Sequence, residues 1–298
     1  MDIYSRILEK LEEQELRCGA LPPYLELYRD LLLIDVEVSK IIPEPRPALT
    51  SDDISGRLGK GIPVLNWDAL TIDWPIYQRL FQEASSIISE YIEAPGRSLR
   101  NTCFRMPAPQ EMARAWYEGS SLSPWTNTSR MAEELLSAIV HCAIKPFLAT
   151  QARVLAPLID QEQWRRGFCP ICGGKPDFAF LNKEVGARGL VCSRCDTEWL
   201  FKRLECPYCG NNNQNDLAYF SDDKEQYRLY ICYHCHTYLK AIDLRRTQTQ
   251  ILMPLERVLT VDMDRQGQEK GFKAGTTQSN TEHLRIEVSS TERRSTSV

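Results

Sequence analysis

The sequence contains no uninterrupted apolar run near the length of about 18 residues that a membrane-spanning helix needs, so no membrane insertion is expected. It has no cationic excess: 36 Lys and Arg against 40 Asp and Glu leave a net charge of −4. That balance gives no global field to hold nucleic acid or anionic lipid. The opening stretch MDIYSRILEKLEEQE is charged from Asp2 and has no apolar h-region, which speaks against a secretory signal and for a cytoplasmic protein. There is no Ser-centred nucleophile elbow, phosphate loop or dinucleotide fingerprint. Gly59-Lys60-Gly61 lacks the upstream glycine and strand of a phosphate loop, and the carboxylates form no recognisable acid–base pair. No catalytic set is visible, and an enzyme is not expected. Cysteine is scarce in the first 168 residues, where only Cys18, Cys103 and Cys142 occur. A secreted disulfide scaffold is cysteine-dense throughout, so that class is excluded as well. Cys142 follows His141, but adjacent helical residues point about 100° apart, so the pair reads as core rather than as a thiolate–imidazole couple.

What is present falls into two textures. Up to about residue 164 the chain reads as helical. Ile76, Leu80, Phe81, Ala84, Ile87, Ile88 and Tyr91 recur on one face of a 3.6-residue repeat, and Ile3, Ile7, Leu8 and Leu11 do the same. A more apolar helix over residues 23–42 ends at the prolines 43, 45 and 47. Thr50 to Gly61, with three glycines, reads as a loop. A further helix is expected over Pro109–Glu118. A long one is expected from an N-cap at Asn127 or Thr128 toward Leu158, with a break or kink at Pro146. Residues 165–245 instead hold 12 of the 27 aromatics, alternating segments such as Asp177–Leu181, and turn residues around every cysteine pair, the pattern of short antiparallel strands.

Eight of the eleven cysteines form four C-x-x-C pairs: Cys169 and Cys172, Cys192 and Cys195, Cys206 and Cys209, Cys232 and Cys235. A two-residue spacer lets one tight turn aim two thiolates at one ion, and two such knuckles on a hairpin close a tetrahedral four-sulfur shell. The segment is also a repeat. Cys169 and Cys172 map onto Cys206 and Cys209 by a shift of 37; Cys192, Cys195 and Thr197 map onto Cys232, Cys235 and Thr237 by a shift of 40. Gly173 and Gly210 follow the first knuckles, where positive φ is needed. Asp196 and His236 stand at the same place in the second knuckles and visit that region at moderate cost. Sequential ligation, one metal per hairpin, keeps the repeat unit whole. The shell suits zinc and rubredoxin-type iron alike and leaves no open position. His234 and His236, beside Cys235, read as non-ligands because four sulfurs are already available at each site. Nucleic-acid binding, an alternative use of tandem ribbons, is disfavoured: residues 165–245 carry 12 Lys and Arg against 10 Asp and Glu before eight thiolates and two cations are counted.

The block Cys169-Pro170-x-Cys172-Gly173 with Pro176, Gly186-x-Arg188-x-Leu190-x-Cys192-x-x-Cys195-x-Thr197-Glu198-Trp199, Arg203, the third knuckle Cys206-Pro207-Tyr208-Cys209-Gly210, and Cys232-x-x-Cys235-x-Thr237-Tyr238-Leu239-Lys240 resembles the formate dehydrogenase accessory proteins, FdhE. His236 stands where that family usually has glycine. The resemblance implies a cytoplasmic assembly factor, or chaperone, that binds the catalytic subunit of formate dehydrogenase during maturation, with rubredoxin-type iron in its cysteine sites. A redox module acting on a partner's thiols or electrons is the alternative. The resulting expectation is an α+β chain: a helical domain over 1–164, a first rubredoxin-like or zinc-ribbon unit over 165–203, and a second over 204–245. A helical segment over 246–273 and a disordered, Ser/Thr-rich tail over 274–298 complete it. Trp199, just beyond a knuckle, is expected either to pack under the metal or to anchor a partner.

Overall fold

The N-terminal half of the computed structural model is built from helices: α1 Ile3–Cys18, α2 Pro23–Ser39, α3 Ser51–Gly59, α4 Trp74–Ile92, α5 Gln110–Glu118, α6 Ser123–Ser129 and α7 Glu133–Leu155. The structure describes residues 3–45, 49–92, 109–129 and 131–277; Cys103 and most of the expected disordered tail lie outside them. The amphipathic face read from Ile76 onward is α4, whose Leu80, Phe81, Ala84 and Ile88 are buried against the rest of the helices.

Two local readings are corrected. Thr50–Gly61 is not a loop: α3 occupies it, started by a capping box in which Thr50 Oγ1 accepts from the Asp53 N–H at 3.2 Å and the Asp53 carboxylate accepts from the Thr50 N–H at 3.0 Å. The cap and the burial of Ile54 and Leu58, one turn apart, outweigh the cost of Gly56 and Gly59. The long helix does not begin at Asn127 or Thr128, which belong to the short α6. It begins after Ala132, and Glu133 is held by the Leu122 N–H at 2.6 Å and the Ser121 hydroxyl at 2.8 Å. The helix then runs on through Pro146 to Leu155. By length and composition the stretch Glu133–Leu158 could cross a membrane. In the fold, Ile139, Val140, Ala143, Ile144, Phe147 and Leu148 of this helix sit at the centre of the core, which accounts for its apolarity.

After Gly167 the chain turns to strands: β1 Pro176–Leu181, β2 Arg188–Cys192, β3 Glu198–Phe201, β4 Leu217–Ser221, β5 Tyr227–Cys232, β6 Thr237–Asp243 and β7 Lys273–Ala274. Each repeat gives an antiparallel three-stranded ribbon, and the two are joined edge to edge in the order β3-β2-β1-β6-β5-β4. The joint is a parallel pairing of β1 with β6, Phe178 opposite Lys240 and Leu181 opposite Asp243. Between β6 and β7 lie α8 Met253–Leu259 and α9 Val261–Glu269. β7 pairs with β6, so order extends into the start of the segment expected to be a loose tail. A single core runs from Phe81 and Phe147 in the helices through Cys169, Ile171 and Trp199 of the first ribbon to Ala241 at the joint. The second ribbon has a small core of its own, Leu229, Ile231, Tyr238 and Phe272.

Candidate metal centres

Each ribbon brings its own four cysteines together. Cys169, Cys172, Cys192 and Cys195 form one cluster, and Cys206, Cys209, Cys232 and Cys235 the other; no sulfur crosses between repeats. The turns supply the convergence. Gly173 N–H donates to the Cys169 carbonyl at 3.1 Å, and Gly210 N–H to the Cys206 carbonyl at 2.9 Å. The residue after each second cysteine of a pair has positive φ: 72° at Gly173, 71° at Gly210, 60° at Asp196 and 54° at His236. The left-handed turn at all four knuckles is thus the one that the glycine positions of the repeat call for.

The spacing of the sulfurs fits a metal. A tetrahedral shell with metal–sulfur distances of about 2.3 Å separates its sulfurs by about 3.8 Å. Here Cys172 Sγ lies 3.4 Å from both Cys192 and Cys195, Cys169 is 3.6 Å from Cys195, Cys206 is 3.7 Å from Cys235, and Cys209 is 3.8 Å from Cys232. Donors point at the sulfurs. The N–H groups of Ile171 and Arg194 approach Cys169 and Cys192 at 3.4 Å. Thr197 Oγ1 lies 3.1 Å from Cys195, and Thr237 Oγ1 2.9 Å from Cys235. A metal-bound thiolate carries no proton, so in a loaded site these hydroxyls donate. Without a cation, four crowded sulfurs are in conflict. Burial raises the Cys169 thiol well above its ordinary value and pushes Cys209 up to about 11. The hydrogen bond between Cys206 and Cys235 raises the first and brings the second down to about 4. A central ion replaces these protons and removes the conflict.

The surroundings of the two clusters differ. The helices close over the first. Val64 and Leu65 N–H groups donate at 2.8 Å to the carbonyls of Pro170 and Ile171 in its first knuckle. Arg194, in its second, lies 4.7 Å over the Trp116 ring and donates to the Tyr117 carbonyl at 2.9 Å. A buried polar cluster holds the other side. Arg257 of α8 donates to the Cys192 carbonyl at 2.7 Å and to Asp196 at 2.5 Å, and its Nε lies 3.1 Å from Asp177. Lys145 of α7 reaches Asp196 at 3.3 Å. Burial alone raises the Asp196 carboxyl, but Lys145 and then Arg257 outweigh it and bring it down to about 2. The sequence singled out Asp196 for its turn alone. Arg257 and Lys145 lie 61 and 51 residues from it, and no spacing signal connects them.

Trp199 is 1% exposed and donates through Nε1 to the Arg166 carbonyl at 2.8 Å. It packs beneath the first ribbon and has no ring surface for a partner. Cys142 lies away from both clusters on α7, and neither its neighbour His141 nor His234 or His236 enters a cysteine cluster. The ring of His141 instead stacks on Trp116 at 5.3 Å.

Residues 168–203, the first ribbon, match the family described as FdhE, central domain. A protein described as an FdhE homolog from Aquifex aeolicus is 29% identical over 229 residues, 76% of each chain. One from Shewanella oneidensis is 28% identical over 204 residues, 67% of this chain and 65% of its own. The crystal structure of the FdhE protein from Pseudomonas aeruginosa superposes with a TM-score of 0.61 at 19% identity, covering 92% of this chain and 93% of the other, which shows a shared fold.

Proposed function

We propose that this chain, FdhE-like in sequence and in fold, is an accessory factor of formate dehydrogenase that binds the enzyme's catalytic subunit in the cytoplasm and turns over no small substrate of its own. The observation that carries this reading is the pair of closed four-cysteine clusters, the first of them inside the segment that matches the FdhE central domain. Cys169, Cys172, Cys192 and Cys195 hold one ion, and Cys206, Cys209, Cys232 and Cys235 the other. Iron in such a shell supplies a one-electron couple, whereas zinc supplies a structural cross-link only. The chain's own part is to hold the sulfurs at tetrahedral spacing and to donate N–H and O–H groups to them. With four sulfurs on each ion, neither shell has room for a substrate. The helical domain, residues 1–164, is the platform against which the first ribbon, 165–203, is locked, and the second ribbon, 204–245, is the part free to meet a partner.

Anaerobic purification with metal analysis and an absorption spectrum tests the metal reading: two ions per chain are expected, with ferric–thiolate bands if they are iron. A pull-down with the catalytic subunit tests the partner. Binding that is present in the wild type and lost in Cys192→Ala supports the reading; a wild-type chain that binds no catalytic subunit refutes it.

A further inference from the structure

The two ends of the sheet are treated differently. At one end the outer edge of β3 is covered: the Gln161 side chain accepts from the Leu200 N–H at 3.1 Å and donates to the Glu198 carbonyl at 3.4 Å, as a neighbouring strand would. At the other end lies β4, Leu217–Ser221, with no charged residue and no proline. Tyr219 is 51% and Phe220 41% exposed. Natural edges are usually blunted by charge, proline, a bulge or a cover, and this one has none among the described residues.

The repeat says what such an edge is built to take. A shift of 40 maps Asn182 onto Asp222 as it maps Cys192 onto Cys232, and it carries Asp177, Ala179 and Leu181 of β1 onto Leu217, Tyr219 and Ser221 of β4. Asn182 N–H bonds across to Ala187 at 2.9 Å in the first hairpin, and Asp222 N–H to Tyr227 at 3.3 Å in the second. Backbone groups alternate in direction along an antiparallel strand, so Ala179 and Leu181 point away from β2, and Leu217, Tyr219 and Ser221 point away from β5. In the first ribbon that row meets β6, in parallel, with Ala179 opposite Ala241 and Leu181 opposite Asp243. In the second ribbon the same row meets no strand among the described residues; the Leu217 N–H is taken by the Gln214 carbonyl of the turn before it, which leaves Tyr219 and Ser221 to face a partner.

We propose that the open edge of β4 takes up an extended strand of the partner protein, running parallel to β4, as β1 takes up β6 within the chain. This rests on the reading that the chain binds a protein partner, and it names the surface. A second copy continuing the repeat is disfavoured, because it would have to offer β3, the counterpart of β6, whose edge Gln161 already occupies. Both faces of β4 carry an aromatic ring, Tyr219 beneath the Arg228 guanidinium at 4.9 Å and Phe220 beneath Lys270 at 4.5 Å. The incoming strand therefore carries apolar side chains at successive positions and no lysine or arginine against those cations.

The test compares binding of the formate dehydrogenase catalytic subunit to the wild-type full chain, to Tyr219→Pro, which removes an outward N–H while leaving the pairing with β5, and to Tyr219→Thr, which keeps that N–H. Amide exchange at Tyr219 and Ser221 is followed with and without the subunit. Expected are full metal content in all three chains, roughly tenfold weaker binding by Tyr219→Pro, a smaller loss for Tyr219→Thr, and slowed exchange at both amides of the wild type on binding. Should Tyr219→Pro lose metal, the exchange measurement on the wild type decides. Unchanged binding by Tyr219→Pro with full metal, or unchanged exchange on binding, overturns the strand proposal and leaves the accessory-factor reading standing. So does protection of the Tyr219 and Ser221 amides in the free chain, whether by a second copy, seen as a dimer in sedimentation, or by residues after Thr277, seen on truncation there. No binding by the wild type overturns both.

Discussion

Around the first cluster all four cysteines are at most 4% exposed, whereas in the second Cys209 and Cys235 reach toward the surface. The ligand type, the turn, the positive φ and the threonine hydroxyl on sulfur are the same in both. What differs is what lies outside the turn. The first ribbon shares a core with the helices and is tied to them by Arg194, Asp196 and Arg257; the second reaches that core through Leu239 and Ala241 of β6, has a small core of its own beyond it, and offers an open strand. A duplicated unit can therefore keep one chemistry in two roles, one copy serving as an interior joint and the other facing outward.

The comparison breaks most sharply on removal of a ligand. Cys172→Ala is expected to cost the first metal and with it the docking of helices on sheet. Cys209→Ala is expected to lose the second metal and disorder only residues near 204–235. Apparent metal contributions of about 10–16 kcal/mol in zinc modules set the scale. Metal content and near-ultraviolet circular dichroism on heating distinguish the two, and equal loss of both ions in Cys209→Ala would show the sites to be coupled. A chromogenic chelator is likewise expected to draw out the second ion first.

Next in size is Arg257→Ala. It leaves the Cys192 carbonyl without that donor and deprives Asp177 and Asp196 of a cation, for an expected loss of about 3–5 kcal/mol at the first site and little at the second. Chemical denaturation monitored through the two metal spectra reads both.

Acid should act through the helices that close over the first cluster. His141 Nε2 is buried without a hydrogen-bond partner among the described residues, and burial, followed by Lys145, holds its pKa down at about 3. The unfolded chain takes up that proton near pH 6.5 and the folded one does not. The stability tied to this residue is therefore fully present above pH 6.5 and is lost as the pH falls toward 3. About 2 kcal/mol is expected between pH 7 and pH 5, absent in His141→Phe, from denaturation curves at each pH.

The smallest contrast is at the turns. His236→Gly relieves a left-handed residue and is expected to stabilise by about 1 kcal/mol. Asp196→Gly relieves the same turn but strips Lys145 and Arg257 of their carboxylate, so it is expected to destabilise. Thermal unfolding of the two variants gives opposite signs if the surroundings, and not the turn, separate the clusters.

The cysteine pairs, their sequential grouping, the left-handed positions at Asp196 and His236 and the short antiparallel strands of each ribbon were legible in the sequence, because turn chemistry acts over a few residues and leaves a spacing; that each ribbon has three strands was not. The helix at Ser51–Gly59 was misread for the same local reason: three glycines were weighed ahead of the reciprocal cap between Thr50 and Asp53 and the buried pair Ile54 and Leu58. Which ribbon is buried, the meeting of Lys145, Asp196 and Arg257, the parallel joint of β1 and β6, and the covered edge of β3 beside the open edge of β4 were decided only in three dimensions. Each depends on side chains or strands brought together from tens of residues apart, and neither periodicity nor spacing records which of many compatible surfaces will meet.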